Sequence, residues 1–173
     1  VSCYGAADGW IDATIIGGTG PYTFFWRGPD SLEFNTEDIF GLTAGDYAYE
    51  LVVTDTNQCS FFTEITLTQP DTAIHAITSL TNHGDFNVSC AGAADGAIDL
   101  TAAGGNGGFT YAWNGPGGYT STDEDIAGLS AGTYTVTITD MNGCTHDQTV
   151  ELSAPEPLVN DLQVATFPSG TTI

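Results

Sequence analysis

Cysteines are the residues whose chemistry this sequence constrains most directly. Four are present, and four cysteines can pair in three ways. Cys3 in the first half of the chain corresponds to Cys90 in the second half, and Cys59 corresponds in the same way to Cys144. We therefore predict one disulfide inside each half, Cys3 to Cys59 and Cys90 to Cys144; the alternative is two pairs of buried free thiols. Persistent disulfides form outside the reducing cytoplasm, so this pairing predicts an extracytoplasmic protein.

Carboxylate and amide side chains also recur at equivalent turns, where their oxygens could bind a hard cation such as calcium. The candidate ligands are Asp8, Asp55 and Asn57 in the first half and Asp95, Asp140 and Asn142 in the second half. The alternative is that each side chain caps its own turn, as Asp and Asn commonly do, and we favour capping. Zinc is not expected, because the cysteines do not lie in close pairs and the three histidines do not recur with them.

No set of catalytic side chains recurs with this pattern. Serine, histidine and an acid do not repeat together, and the many carboxylates are better explained as a solvated face than as an acid-base pair. We therefore expect no enzymatic activity.

The two halves of the chain are copies of one another. Residues 1–26 align with residues 88–113 at a constant offset of 87, with 16 identities in 26 positions. Such a long internal period means that each copy is one structural unit. We place unit one at residues 1–70, unit two at residues 71–155 and the start of a third unit at residues 156–173, with short proline-containing linkers between them.

Each unit shows the alternation of half-buried β-strands. The clearest strand turns Tyr134, Val136 and Ile138 inward and threonines outward, and we align Tyr49 of unit one with Tyr134. About seven short strands per unit, with no helical period, predict an all-β fold of tandem immunoglobulin-like β-sandwiches. In the standard topology of that fold, the first turn and the last hairpin lie at opposite ends. The predicted disulfides therefore require either that the segment before Cys90 runs back along the last strand or that the topology is a variant.

The charge balance excludes several classes of partner. The chain has 22 Asp and Glu residues against one basic residue, and its formal net charge is −21. Nucleic acid and anionic membrane surfaces would be repelled. We find no apolar run near the ~20 residues that a membrane-spanning helix needs, so no direct membrane insertion is expected. Apolar residues make up 41% of the chain, which is enough to form a core.

The order of motifs resembles a known repeat. Each unit reads Cys-x-Gly-x-x-Asp-Gly-x-Ile, then Gly-Gly and Trp, then Leu-x-Ala-Gly-x-Tyr, then Thr-Asp-x-Asn-x-Cys and a closing proline. Two places depart from the pattern: Gly107-Gly108-Phe109 replaces a Pro-Tyr step, and Gln58 replaces the glycine before the second cysteine. The whole of residues 1–155 is similar to the SprB-type repeat of giant surface adhesins in gliding Bacteroidetes.

The resemblance implies a structural and adhesive role. It implies an extracellular, cell-surface filament that is exported by the type IX secretion system, takes part in adhesion and gliding motility, and contacts neighbouring repeats and surface polysaccharide. Two triplets, at Ser31 and Thr72, resemble the short O-glycosylation motif of exported Bacteroidetes proteins.

A carbohydrate-binding module is the alternative function. Exposed aromatic side chains could stack on sugar rings, and the candidates are Phe25, Phe40, Phe61 and Tyr119. Because Phe25 and Phe40 are replaced by alanine in unit two, such a site would belong to unit one alone.

The two ends of the chain carry a further prediction. Unit one lacks an equivalent of residues 74–87, so its sandwich would have an open edge and would be the less stable unit. We expect the segment carrying Val159, Leu162 and Val164 either to be disordered or to dock on that edge in a neighbouring chain.

Overall fold

The computed structural model describes residues 1–159, and regular structure there consists of β-strands with two short 3-10 turns. Unit one contains β1 (Gly9–Ile11), β2 (Thr23–Arg27), β3 (Glu33–Phe34), β4 (Ile39–Leu42), β5 (Tyr49–Thr54) and β6 (Ser60–Ile65). Unit two contains β7 (His75–Leu80), β8 (Gly96–Ala103), β9 (Thr110–Asn114), β10 (Thr120–Ser121), β11 (Ile126–Leu129), β12 (Gly132–Thr139) and β13 (Thr145–Leu152).

Unit two is a β-sandwich of two antiparallel sheets. One sheet has the order β11-β8-β7 and the other the order β10-β9-β12-β13. Alternate residues of both sheets turn inward, so that Ile98 and Leu100 of the first sheet share one core with Val136 and Ile138 of the second. The predicted all-β sandwich class is confirmed, with seven strands in the arrangement of an immunoglobulin-like domain.

Unit one repeats this arrangement without a counterpart of β7. Its sheets have the orders β1-β4 and β3-β2-β5-β6. Strand β1 ends at Ile11, whereas β8 continues to Ala103 beside β7. The sequence predicts a longer first strand, through Ile15. The difference arises because no neighbouring strand among the described residues accepts and donates hydrogen bonds along residues 12–16.

One tryptophan lies at the centre of each core. Trp26 and Trp113 are buried, at 0% and 1% exposure. Each indole N–H finds a backbone acceptor, the Thr36 carbonyl at 3.0 Å for Trp26 and the Asp123 carbonyl at 2.9 Å for Trp113. The polar atom is thereby satisfied while the ring fills the sandwich, which is the condition for burying a tryptophan without penalty.

A buried tyrosine lies near the start of β5 in unit one and of β12 in unit two. The Tyr49 hydroxyl donates to the Thr43 carbonyl at 2.9 Å, and the Tyr134 hydroxyl donates to the Ser130 carbonyl at 3.0 Å. These matched hydrogen bonds agree with the alignment of Tyr49 with Tyr134, and they reproduce the tyrosine corner of immunoglobulin-like sandwiches.

Each unit has two distinct ends. We call the end with the hairpin turn at residues 55–59 or 140–144 the upper end, and the end with the loop at residues 1–8 or 88–95 the lower end. At the lower end, the amino group of Val1 donates to the Thr68 carbonyl at 2.8 Å, as Val88 N–H donates to the Ser153 carbonyl at 3.0 Å. The chain leaves unit one at its lower end and enters unit two at its upper end, where His75 pairs with Ala103.

Candidate functional site

The junction between the two units is closed by a disulfide. Cys3 at the lower end of unit one is bonded to Cys144 at the upper end of unit two, with a Cα–Cα distance of 5.7 Å. Cys59 and Cys90 are free and exposed. The predicted pairing of Cys3 with Cys59 and of Cys90 with Cys144 is therefore wrong, and so is the alternative of buried free thiols.

The reason is the length of the strands between the two cysteines of one unit. Cys90 follows Val88, whose N–H donates to the Ser153 carbonyl at the lower end, whereas Cys144 follows Thr139 at the upper end. The eight residues of β12 separate these ends by roughly 25 Å at about 3.3 Å per residue. A disulfide needs Cα atoms about 5.5 Å apart, so the bridge can form only where the ends of different units meet.

Hydrogen bonds to one carbonyl group accompany the disulfide. The Ser2 carbonyl oxygen accepts from the side-chain amide of Asn106 at 2.9 Å and from that of Asn142 at 3.4 Å. Gly5 N–H donates to the Gln69 side chain at 2.8 Å, which ties the lower loop to the linker. The junction thus combines a covalent bond with polar contacts from both upper-end loops of unit two.

Two aspartates shape the upper-end turns. Asp140 Oδ1 accepts from Asn142 N–H at 3.0 Å and from Cys144 N–H at 2.9 Å, and its Oδ2 accepts from Asn106 N–H at 2.8 Å. Asp55 does the same in unit one, where Oδ1 accepts from Cys59 N–H at 2.9 Å. Each carboxylate therefore holds the cysteine turn against the opposite loop.

These donors favour the ionised form of both aspartates. The N–H of Cys59 lowers the pKa of Asp55 below its usual value. Burial acts to raise the pKa of Asp140, but the N–H groups of Asn106, Cys144 and Asn142 together lower it. The upper-end turns consequently depend on a negative charge.

Two further aspartates hold the lower-end loops. Asp8 accepts from the Ser2 hydroxyl and from Ser2 N–H, and Asp95 accepts from Ser89 N–H at 3.1 Å. The Ser2 and Ser89 groups lower the pKa of Asp8 and Asp95 respectively. Asp8 therefore positions Ser2, whose carbonyl accepts the hydrogen bonds from Asn106 and Asn142 at the junction.

The structure separates the candidate calcium ligands of each unit: Asp8 and Asp95 lie at the lower ends, whereas Asp55, Asn57, Asp140 and Asn142 lie at the upper ends. Across the junction, Asp8 and Asn142 both contact Ser2, Asp8 by accepting from Ser2 N–H at 3.1 Å and Asn142 by donating to the Ser2 carbonyl at 3.4 Å. Within residues 1–159, no group of three or more His, Cys, Asp or Glu side chains could hold a metal ion. The four aspartates accept N–H groups of their own and neighbouring loops, and calcium binding stays a prediction.

The two candidate glycosylation residues are accessible. Ser31 ends a 3-10 turn of unit one, and Thr72 lies in the linker, where its carbonyl accepts from Gly105 N–H at 2.9 Å. Both side chains are on the exposed surface, and their modification stays a prediction.

The candidate sugar-stacking aromatics do not form one surface. Phe40 and Phe61 are 65% and 64% exposed but belong to different sheets. Phe25 is half-buried beneath the Arg27 guanidinium, which lies 5.7 Å from the ring centre. Tyr119 packs edge-on against Tyr134, with ring centres 5.6 Å apart.

The candidates from the sequence do not include two residues that the structure brings to these surfaces. Trp10 is 61% exposed and pairs across the strands with Phe40, so the two aromatics are neighbours. Its position between inward-facing Gly9 and Ile11 is the signal that could have found it. Asn106, which binds the Ser2 carbonyl, gave no signal, because its counterpart in unit one is Thr19.

The fold and the junction together define a tandem array of stacked β-sandwich repeats. A family model described as SprB repeat matches residues 1–31 and 87–118, which contain the lower loop with β1 and β2 in unit one and the lower loop with β8 and β9 in unit two. The predicted SprB-type repeats are thereby confirmed at both places. SprB repeats are a structural rather than an enzymatic family and are typical of cell-surface proteins. No curated protein matches the chain significantly.

Residues 1–159 contain no helix that is long and apolar enough to cross a bilayer. Leu162 and Val164, which the sequence predicts to be either disordered or docked on unit one of a neighbouring chain, lie outside the described residues.

Proposed function

We propose that this chain is a load-bearing segment of an adhesive filament at the cell surface, of the kind associated with gliding motility. The observation that carries the proposal is the Cys3–Cys144 disulfide, which joins the lower end of one repeat to the upper end of the next. A covalent bond at each junction lets an array of small sandwiches carry tension without the repeats separating.

The charge of the chain supports the same role. At a net charge of −21, neighbouring repeats repel one another, and the hydrogen bonds that join them are made by neutral amides and a carbonyl group. Repulsion along the array keeps an extended shape and opposes collapse of repeats on each other.

Single-molecule pulling from the two termini tests the load-bearing role. The disulfide encloses a sequence separation of 141 residues, so with the bridge intact only residues outside this loop can extend. Reduction, or the substitution Cys144→Ser, should release roughly 500 Å of additional contour length. Equal contour lengths before and after reduction would show that the bridge does not carry the load.

Adhesion itself is tested with beads. Beads coated with the oxidised chain should resist detachment from glass and agarose under shear, and albumin-coated beads are the control. Detachment at the same shear stress would contradict the adhesive role while leaving the pulling result intact.

A carbohydrate-binding role has one specific observation in its favour. Trp10 and Phe40 form an exposed aromatic pair on unit one, whereas the equivalent pair in unit two is Ala97 and Ala127. Adjacent exposed rings offer an apolar face against which the C–H face of a sugar could pack.

Affinity electrophoresis through soluble polysaccharides tests this second role. The double variant Trp10→Ala, Phe40→Ala should lose the retardation, whereas Phe61→Ala, equally exposed on the other sheet, should keep it. Identical mobility of all three proteins in every polysaccharide would rule the role out.

A further inference from the structure

Cys59 and Cys90 are the two cysteines that are free in this chain. Cys59 is equivalent to Cys144, and Cys90 is equivalent to Cys3. Cys3 and Cys144 are bonded to each other in this chain, so the free cysteines are the equivalents of a bonded pair. The free thiols lie at the two far ends of the stacked units, with Cys59 at the upper end of unit one and Cys90 at the lower end of unit two. They therefore cannot bond to each other within one chain.

The surroundings of both free thiols already have the bonded geometry. In the turns of Cys59 and Cys144, the cysteine N–H donates to the aspartate four residues earlier, at 2.9 Å in each. In the loops of Cys3 and Cys90, the cysteine carbonyl accepts from the N–H three residues later, at 3.1 and 3.0 Å. Neither half needs to refold before it can meet a partner.

An open groove lies beside Cys59. Its volume is about 340 Å³, and Ile15, Tyr22 and Phe61 line it. In unit two the same place is filled by residues 72–74, and Ile74 there is only 6% exposed. Unit one therefore has an unfilled site for a short apolar segment that precedes a repeat.

Two equivalent glycines, Gly104 and Gly17, show that the groove has room for the backbone of an incoming segment. Gly104 has φ +81°, and a Cβ built on it would lie 2.1 Å from the Ala73 carbonyl oxygen. Gly17 has φ +93°, and a Cβ there would meet nothing within 4 Å. Unit one thus leaves open the space that the incoming chain takes in unit two.

The lower end of unit two carries a segment that matches the groove. Leu158 and Val159 are equivalent to Ala73 and Ile74, and they are 104% and 83% exposed. They follow Ser153, whose carbonyl accepts from Val88 N–H next to the Cys90 loop. One end of the molecule therefore presents both a free thiol and an exposed apolar segment.

One of the two hydrogen-bond donors of the junction is also present in unit one, whereas the other, Asn106, is replaced there by Thr19. Asn142 donates to the Ser2 carbonyl at 3.4 Å, whereas its equivalent Asn57 donates to Thr19 Oγ1 at 3.1 Å within unit one. Rotation of the Asn57 side chain would present the amide to the carbonyl of Ser89, which is the equivalent of Ser2.

We propose that the upper end of unit one is a socket for the lower end of unit two of a second copy of this chain, closed by a Cys59–Cys90 disulfide. Residues 157–159 of one copy fill the groove of the next, and successive copies form a covalent head-to-tail filament. This proposal rests on the proposed filament role. It is tested by the mass of covalent oligomers, whereas the filament role is tested by pulling and by adhesion, so each of the two can fail without the other.

Closing the bridge is an oxidation that needs a disulfide as co-reactant. One thiolate attacks oxidised glutathione and releases one glutathione thiol, and the second thiolate then displaces the other glutathione from the mixed disulfide. The two protein thiols lose two electrons and two protons, and one glutathione disulfide becomes two thiols.

Two matched variants of the full chain test the polarity of the bond. Cys90→Ser keeps only the socket thiol, and Cys59→Ser keeps only the inserting thiol. With oxidised glutathione at about 0.15 M salt, which screens repulsion beyond roughly 8 Å, the mixture should give a heterodimer of two 18.0 kDa chains. Each variant alone should stay monomeric on non-reducing gels, and the wild type should give a ladder of multiples.

Homodimers of either single variant as abundant as the heterodimer would overturn the proposal, because random thiol pairing gives that result. Absence of any dimer in the mixture would overturn it as well.

A further variant tests the groove. Val159→Asp should slow heterodimer formation about tenfold, since a buried valine contributes roughly 1.5 kcal/mol or more. Ile77→Asp, which alters a 70% exposed residue of β7, is the control and should not change the rate. If heterodimers of the two variants formed at equal rates, the result would contradict insertion of residues 157–159 into the groove.

Discussion

Single aspartates control the turns on which the junction depends. The recurrence of Asp55 and Asn57 as Asp140 and Asn142 indicated turn residues from the sequence alone. Their partners across the fold could not be predicted, because Asn106 lies 34 residues from Asp140 and meets it only when the sandwich closes. The disulfide pairing failed for a related reason: repeat symmetry shows which cysteines are equivalent but not which ends of the units meet.

The substitution Asp140→Asn tests the charge on the upper-end turn. Because the pKa of Asp140 in the folded state lies below its ordinary 3.8, its contribution to the free energy of unfolding is complete above that pH. It is lost as the pH falls through the folded-state pKa. The variant should be less stable than the wild type at neutral pH, and the difference should shrink below about pH 3.8.

Urea unfolding at several pH values measures this difference. Asp99→Asn, on the exposed face of β8, is the control for the general loss of one negative charge. A difference between wild type and Asp140→Asn that does not change with pH would contradict the role of the ionised carboxylate.

Chelation separates calcium binding from turn capping. Since the oxygens of Asp55 and Asp140 accept N–H groups of the protein, we expect the melting temperature to be unchanged by EDTA. The thermal melt is followed by circular dichroism, with added calcium as the second condition. A fall in melting temperature with EDTA that calcium reverses would instead show a cation site.

At the scale of strands, alternation predicted which residues face the core but not where each strand ends. Tyr134, Val136 and Ile138 are all buried, as their spacing predicts. Strand β1 stops at Ile11 although its sequence alternates as far as Ile15, because strand length depends on a neighbour that the local pattern does not contain. Trp10 and Phe40 belong to this short sheet and stay exposed.

A pair of tryptophan substitutions tests the core. Trp113→Ala should cost about 3–5 kcal/mol of unfolding free energy, because the ring is fully buried and leaves a cavity. Trp10→Ala, at 61% exposure, should change stability by about 0.5 kcal/mol or less. Denaturant unfolding followed by far-ultraviolet circular dichroism measures both, and similar losses would contradict the placement of the two rings.

Hydrogen exchange tests the open edge of unit one. The amides of residues 11–16 lack the β7-like neighbour that protects residues 98–103, so they should exchange at least about tenfold faster. The experiment is done at low protein concentration, so that a second chain does not cover the edge. Equal protection in the two segments would show that the edge of unit one is closed.

At the scale of the whole molecule, two sandwiches are joined end to end by the linker and by one disulfide. On a chain-entropy argument, closing a loop of 141 residues stabilises the folded state by about 5 kcal/mol. The disulfide prevents the two units from separating under tension. The net charge of −21 opposes side-by-side contact between chains. Both properties suit a chain that works as part of a filament.

The direct test of this account is non-reducing peptide mapping of the oxidised chain. Trypsin is unsuitable, because the chain has one basic residue, but cleavage before aspartate places the four cysteines on separate peptides, residues 1–7, 55–70, 85–94 and 140–146. The account predicts that residues 1–7 are found joined to residues 140–146. Recovery of residues 1–7 joined to 55–70, together with 85–94 joined to 140–146, would contradict the covalent junction between repeats.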